Sequence, residues 1–336
     1  MSMMSMQRLS PAHRPVGIHS IAVALPPGRV PVSDLLRDAG LTGPQRSAVA
    51  SLGIETVAAG DVSAHELGLA AARSLLDETR VDPIDIDVIL HLPSRVPERL
   101  MCSETTRIQR DLGASRALAL STGDLGCASS TAALLLAASL LQANPGWSLV
   151  LIVHGSTTPT PGRIRTSVTV NGDAGVAALV GVEGFRLGLA SVLMCTSGDY
   201  WDLFSVDYLE RPRSEWREEC ADPGRYSFNL AVDSGRIVPA LLDQEFRTRA
   251  LTIDDVRHLL TQNLSLAGFE FYEQLLGRPV ASPCRTHLRH LGHLGAADLL
   301  VNLSGLLPAV ESGAWLVALN SSPAAAWSAC FFQVPG

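Results

Sequence analysis

The chain runs twice through the same order of elements. In the first pass a strand at 117–121 (ALALS) enters the small-residue turn T-G-D-L-G. Cys127-Ala-Ser-Ser then opens an apolar helix over 128–142, stopped by Asn144-Pro145-Gly146, and strands follow at 148–153 and 175–182. In the second pass the stretch T-H-L-R-H-L-G-H leads into a helix over about 296–307, followed by strands at 314–319 and 327–334. A β-turn-α-β-β unit used twice predicts a duplicated α/β fold whose halves meet near residue 186. The halves are 1–186, carrying Cys127, and 187–336, carrying His293 and Asp298. Cys127 and His293 sit at comparable points of the two units, each just ahead of a buried helix.

The remaining pattern fits around these units. Residues 1–15 read as a loose tail, and 17–25 as a first strand ended by Pro26-Pro27-Gly28. Ser63-Ala64-His65-Glu66 is a capping box that opens a helix running to Leu76. A strand is expected at 85–92 and a helix at 105–112, ended by Gly113. The segment 199–230, dense in aromatics and charge, reads as an inserted or capping loop.

Composition removes whole classes of chemistry. All 26 basic residues are Arg. Without Lys there is no Schiff-base lysine and no P-loop lysine. A net charge of −7 argues against a general nucleic-acid binder. The six Cys include no C-x-x-C pair and read as reduced thiols. The N-terminus lacks the apolar run of a signal peptide. The most apolar run, 131–141, is 11 residues, too short to span a bilayer. A cytoplasmic protein without membrane or nucleic-acid partners is the expectation.

Cys127 stands at the first turn of an apolar helix, where the helix N-terminus favours thiolate, and the small residues before it let a substrate approach. Cys102, Cys195, Cys220, Cys284 and Cys330 have no such setting and read as packing residues. A thiolate enzyme needs a base. His293, flanked by glycines in G-H-L-G, is the foremost candidate, with His154 and His258 behind it. Asp298, five residues on, is placed to fix the His293 tautomer; equally, an acid in a first helical turn often only satisfies backbone amides. His287, His290 and His293 have three-residue spacing but no fourth ligand, so no metal is expected. G-x-S-x-G, G-x-G-x-x-G and H-E-x-x-H are absent.

These residues carry a resemblance. T-T-R-I-Q-R-D-L-G-A, D-L-G-C-A-S-S around Cys127, N-G-D-A-G-V-A-A-L-V at 171–180 and G-H-L-G-A-A-D at 292–298, in this order, resemble the β-ketoacyl-acyl-carrier-protein synthase III branch of the thiolase superfamily over about 17–334. The resemblance implies a thiolase fold, two β-α-β-α-β-α-β-β halves in five layers (αβαβα), and a homodimer. It also implies a Cys-His-Asn triad, and here the chain departs. L-L-T-Q-N-L puts Thr261 where the family has His, and His293 stands where the family has Asn. The pair that stabilises the enolate of decarboxylative condensation is therefore missing.

Cys127, His293 and Asp298 suit a different acceptor. A subset of synthase III-like proteins from antibiotic pathways carries such an arrangement and transfers acyl groups to oxygen or nitrogen. The resemblance thus implies an acyltransferase taking an acyl group, aromatic polyketide acyl groups included, from an acyl carrier protein, a polyketide synthase carrier domain or CoA. The acceptor would be a small molecule such as a sugar or aminocyclitol. No cofactor is expected beyond the phosphopantetheine of the donor thioester. The alternatives are a starter-unit priming or condensing enzyme, a non-catalytic thiolase-fold partner subunit, and a cysteine hydrolase. The family's G-F-G-G-G-like oxyanion loop reads N-S-S-P-A-A-A here; Pro323 has no N–H, which leaves a neighbour such as Ala324 to join the Cys127 amide. His287 and His290 fall at no catalytic position of the family.

Overall fold

The computed structural model describes residues 7–9, 14–166, 168–323 and 326–336. Ten strands form its main sheet: β1 (Gln7–Leu9), β2 (Gly17–Ala24), β3 (Val88–Leu92), β4 (Leu118–Ser121), β5 (Leu149–Ser156), β6 (Ala174–Gly181), β7 (Leu187–Thr196), β8 (Val256–Thr261), β9 (Trp315–Ser322) and β10 (Ala326–Gln333). The longer helices are α1 (Ala64–Thr79), α2 (Glu104–Leu112), α3 (Ser129–Ala143), α4 (Leu230–Arg249), α5 (Leu266–Leu276), α6 (Ser282–Leu291) and α7 (Asp298–Leu306).

The strand order is β8-β9-β10-β7-β2-β6-β5-β3-β4, with β1 added on β7. Duplication is visible in the pairing. From β2 outwards, β6 and then β5 pair antiparallel, and β3 pairs parallel with β5. From β7 outwards, β10 and then β9 pair antiparallel, and β8 pairs parallel with β9. The two series meet in only two pairs, Leu187↔Ile18 and Gly188↔Gly17.

Burial explains the layers. α3 is apolar all round, and Ala133, Leu134, Ala137, Ala138 and Leu141 are fully buried on it. It touches β3, β5 and β6 of one series and β7 and β10 of the other. α7 likewise touches β2, β6 and β8. These two helices form a central layer that neither series could cover alone. α1 covers β2, β5 and β6 from outside, and α4 covers β7 and β10. Helix, sheet, helix, sheet, helix is the five-layer arrangement expected from the resemblance. The helical segment Gly126–Ala143 is long and apolar enough to cross a membrane by length and composition. It exceeds the 11-residue apolar run because a 3-10 turn, Gly126–Ala128, precedes α3. Here it is the core helix between the sheets.

Local signals held at the ends of elements. Ser63 Oγ accepts from the Glu66 N–H at 3.1 Å and Glu66 Oε2 accepts from the Ser63 N–H at 2.9 Å, the capping box that starts α1. Gly113 ends α2 in the left-handed conformation. Three expectations need correction. Residues 7–9 are not loose but pair with Val192–Met194 of β7. Asp85 belongs to a 3-10 turn, Pro83–Asp85, because Pro83 and the Asp82 side chain favour a turn before the strand. Within 199–230, Phe204–Val206 and Glu218–Cys220 form a two-stranded ribbon.

The two units match more closely than their sequences suggest. Leu125 and Leu294 have φ −103° and ψ 20° and 15°, and the glycines that follow, Gly126 and Gly295, have φ +55° and +64°. Each glycine opens a 3-10 turn that feeds the central helix. In each, the leucine N–H donates to the side chain four residues on: Ser129 Oγ at 3.2 Å and Asp298 Oδ1 at 2.8 Å. Cys127 therefore corresponds to Ala296, and His293 to Asp124. The comparability of Cys127 and His293 holds only to within one turn.

A prediction follows for Gly126. Its φ and that of Gly113 (+77°) are both left-handed, but a Cβ at Gly126 would lie 2.4 Å from Ser322 Oγ, whereas at Gly113 nothing lies within 4 Å. Gly113→Ala should cost about 1 kcal/mol from backbone strain alone. Gly126→Ala should cost about 2–4 kcal/mol, with overpacking added. Urea unfolding of both variants checks this; equal losses would contradict it.

Candidate active site

The two glycine-opened turns face each other across the centre of the molecule. Cys127 Sγ lies 3.4 Å from His293 Nε2. His293 Nδ1 lies 2.6 Å from Asp298 Oδ2. All three are buried, with relative exposures of 3%, 2% and 0%. The structure thus brings together the three residues singled out in the sequence, from 166 residues apart for Cys127 and His293.

Backbone contacts hold each group. The His293 N–H donates to Val170 O, and the Gly172 N–H donates to His293 O, both at 2.9 Å, so the N-G-D-A-G loop clamps the histidine backbone. Asp298 Oδ1 accepts from the Leu294 N–H at 2.8 Å, and Oδ2 accepts from the Asn263 N–H at 2.9 Å. The carboxylate therefore accepts from an amide just ahead of its own helix and from one just beyond β8, and it also faces His293 Nδ1. The Cys127 carbonyl accepts from Asn320 Nδ2 at 2.6 Å. Asn263 and Asn320 were not legible as site residues, because they reach it from 35 and 193 residues away.

The electrostatics follow from this geometry. Burial acts to raise the Cys127 thiol, but the charge of His293 and its hydrogen bond outweigh burial and hold the thiol below its ordinary value. Burial acts to lower His293. The Cys127 thiolate, the Asp298 carboxylate and the hydrogen bonds to both oppose it and push His293 up to about 10. Both directions favour the thiolate–imidazolium form of the pair. The other buried thiols have no such partner. Burial pushes Cys195 up, and it pushes Cys284 and Cys330 up to about 12. His154 is buried with Nδ1 on the Leu92 carbonyl, and burial lowers it; burial also lowers His258. Of the three candidate bases, His293 is the one hydrogen-bonded to the Cys127 sulfur.

A cavity of about 920 Å³ lies beside this centre, lined by Arg163, Arg165, Asn171, Phe204, Arg217 and Tyr226 among others. Two observations connect it to the nucleophile. Asn171 pairs with His293 in an isolated bridge. Burial raises the Tyr226 hydroxyl, and the Cys127 charge acts in the same direction. Arg165 Nε bonds Glu218 Oε1 at 2.6 Å, so the ribbon of 199–230 closes one wall of the cavity. Among the described residues no three His, Cys, Asp or Glu side chains converge as ligands for a metal ion. Ala324 lies outside the described residues, so the second oxyanion donor expected near Pro323 is not placed.

No family model matches the chain. Over 195 residues it is 29% identical to the β-ketoacyl-[acyl-carrier-protein] synthase III of Methylococcus capsulatus, covering 56% of this chain and 59% of that enzyme. The chain thus spans about three fifths of the length of the curated relative it matches. Solved structures align over almost all of it. The acyltransferase ChlB3 covers 96% of this chain and 98% of its own at 21% identity, with a TM-score of 0.79. The priming β-ketosynthase of the R1128 polyketide biosynthetic pathway covers 97% and 98% at 21% identity, TM-score 0.79. The 3-oxoacyl-[acyl-carrier-protein] synthase III of Aquifex aeolicus VF5 covers 95% and 99% at 17% identity, TM-score 0.77. The chain has the fold of these proteins, the thiolase fold.

The site predicts the behaviour of Asp298→Asn. An amide cannot accept on both of its heads, yet the carboxylate accepts from three N–H groups. Iodoacetamide alkylation of Cys127 at pH 6 should fall about ten- to a hundredfold, because His293, whose charge lowers the thiol, loses the carboxylate that helps keep it protonated. An unchanged rate in a folded variant would contradict the coupling.

Proposed function

We propose that this chain is an acyltransferase working through a Cys127 acyl-enzyme, with His293 as acid and base and Asp298 orienting it. The observation that carries the reading is the contact of Cys127 Sγ with His293 Nε2 at 3.4 Å, backed by Asp298 at 2.6 Å. The thiolate attacks the carbonyl of an acyl thioester, and the C–S bond forms as the carbonyl becomes an oxyanion beside the Cys127 N–H. Backbone N–H groups in a first helical turn have no partner within the helix. Collapse expels the donor thiol, which leaves with the proton from His293 Nε2.

The charge balance then turns the histidine into a base. The thiolate is one of the causes that raise His293, and in the acyl-enzyme it is gone, while burial still acts to lower it. Neutral His293 takes the proton of an acceptor O–H or N–H as that atom attacks the acyl carbon. The product ester or amide leaves, and the thiolate–imidazolium pair returns. Each half-reaction moves one proton between the same nitrogen and the group entering or leaving.

Condensation is not part of this reading. Thr261 is buried at the end of β8, and its hydroxyl bonds the Gln262 side chain at 3.2 Å. It supplies no imidazole to an enolate. The donor is taken to be a phosphopantetheine thioester of an acidic carrier protein or CoA, and the acceptor a small molecule such as a sugar or aminocyclitol. Arg217, exposed among the residues lining the cavity, supports an acidic donor partner. A homodimer is supported by β4, an edge strand of the sheet whose Leu118 is 46% exposed. The halves are taken as 1–186 and 187–336, no cofactor enters the scheme, and the location proposed is cytoplasmic.

The test uses intact-protein mass after incubation with acyl thioesters. Wild type should gain one acyl group, released by an added alcohol or amine acceptor, and Cys127→Ala should gain none. With a malonyl carrier protein present, no ketoacyl product should form. Acylation of the Cys127→Ala variant would overturn the nucleophile; a decarboxylative product would overturn the reading of Thr261 and His293.

A further inference from the structure

A chain of hydrogen bonds runs from the flank of the molecule to the back of the Cys127 site. His287 on α6 is half-buried, and its Nδ1 lies 2.8 Å from Oδ1 of Asn302 on α7. Asn302 is fully buried, and its Nδ2 donates to Thr261 O at 2.9 Å and to Asn263 Oδ1 at 2.8 Å. Asn263 Nδ2 returns to Asn302 Oδ1 at 3.3 Å, which makes a reciprocal amide pair. The backbone N–H of Asn263 donates to Asp298 Oδ2 at 2.9 Å. That oxygen also faces His293 Nδ1 at 2.6 Å.

Chemistry fixes the direction of each link. The Thr261 carbonyl only accepts, so the Asn302 NH2 must face it and the Asn302 oxygen must face His287. His287 Nδ1 therefore carries a proton and donates it. Packing fixes the ring as well. A Cβ at Gly305, within α7, would lie 2.8 Å from His287 Cε1 and 3.3 Å from Nε2. The imidazole rests against helix backbone left bare by glycine, with its Nδ1 side turned to Asn302.

We propose that His287 is a positioning residue of this site: it fixes the Asn302–Asn263 amide pair, which fixes the backbone N–H that holds Asp298 against His293. His287 touches neither sulfur nor substrate and acts through Asp298 alone. Its effect on turnover rests on the acyl-transfer reading; its effect on the Cys127 thiolate does not.

Three variants test this in the full chain. His287→Leu removes the donor and keeps the bulk. His287→Asn puts an amide nitrogen close to where Nδ1 sits. His287→Gln carries that nitrogen one methylene further out. Iodoacetamide alkylation of Cys127 at pH 6, located by peptide mass, is read alongside kcat and KM for acyl transfer. His287→Leu should lower alkylation and kcat about three- to tenfold, the range for one hydrogen bond, with KM for the thioester unchanged. His287→Asn should return to within about twofold of wild type, and His287→Gln should fall below His287→Asn. Wild-type alkylation in His287→Leu would overturn the proposal. So would equal losses in the Leu and Asn variants, which would mark a packing role. If His287→Leu does not fold, the Asn and Gln variants decide by the same ordering. If wild type accepts no acyl thioester, the functional reading fails, and the alkylation series still decides the role of His287.

Discussion

Two buried groups at the centre of this molecule each favour the charged form of the other. A thiolate or an imidazolium alone at such burial would lose several kcal/mol of hydration. Cys284 and Cys330 show the outcome for a buried thiol without an imidazole beside it: burial pushes them up to about 12. Cys127 differs because His293 Nε2 is 3.4 Å away and acts to lower it, while the thiolate and the carboxylate on its two nitrogens act to raise His293. Asp298 in turn is held by two backbone N–H groups besides the histidine. Each charge depends on the next, so the site acts as one unit.

The duplicated fold is what makes that unit possible. Each half starts a buried helix from a glycine-opened 3-10 turn. Packing α3 and α7 side by side between the sheets places both turns at the same depth. The sulfur comes from within one turn and the imidazole from just ahead of the other. The clamp of His293 between Val170 and Gly172 shows the same division, because a loop of the first half fixes a residue of the second.

Much of this was legible in the sequence, for physical reasons. Helix starts carry chemical signatures, so Ser63 with Glu66 announced α1, and the step from T-G-D-L-G to an apolar run announced the Cys127 turn. Asp298 was legible because it lies five residues from His293. Asn263, Asn302 and Asn320 were not, since polar residues on distant strands and helices have no local pattern that marks where they meet. β7 and β8 were missed because their register depends on partners far along the chain. His287 looked idle because its contact is with Asn302, a residue with no motif of its own. The N-terminal strand was missed for a related reason: three residues, 7–9, pair only because β7 offers an edge.

The central claim is that Cys127 rests as a thiolate beside a protonated His293. The most direct measurement is the ultraviolet thiolate absorbance of wild type minus that of Cys127→Ser, titrated with pH. The thiol is lowered by its partner and the histidine beside it is raised to about 10, and both directions favour a thiolate that gains its proton on acidification. The account predicts a difference signal already present at pH 7 and lost as pH falls. A signal absent at pH 7 and rising only as pH passes the ordinary thiol value of about 8.5 would contradict it.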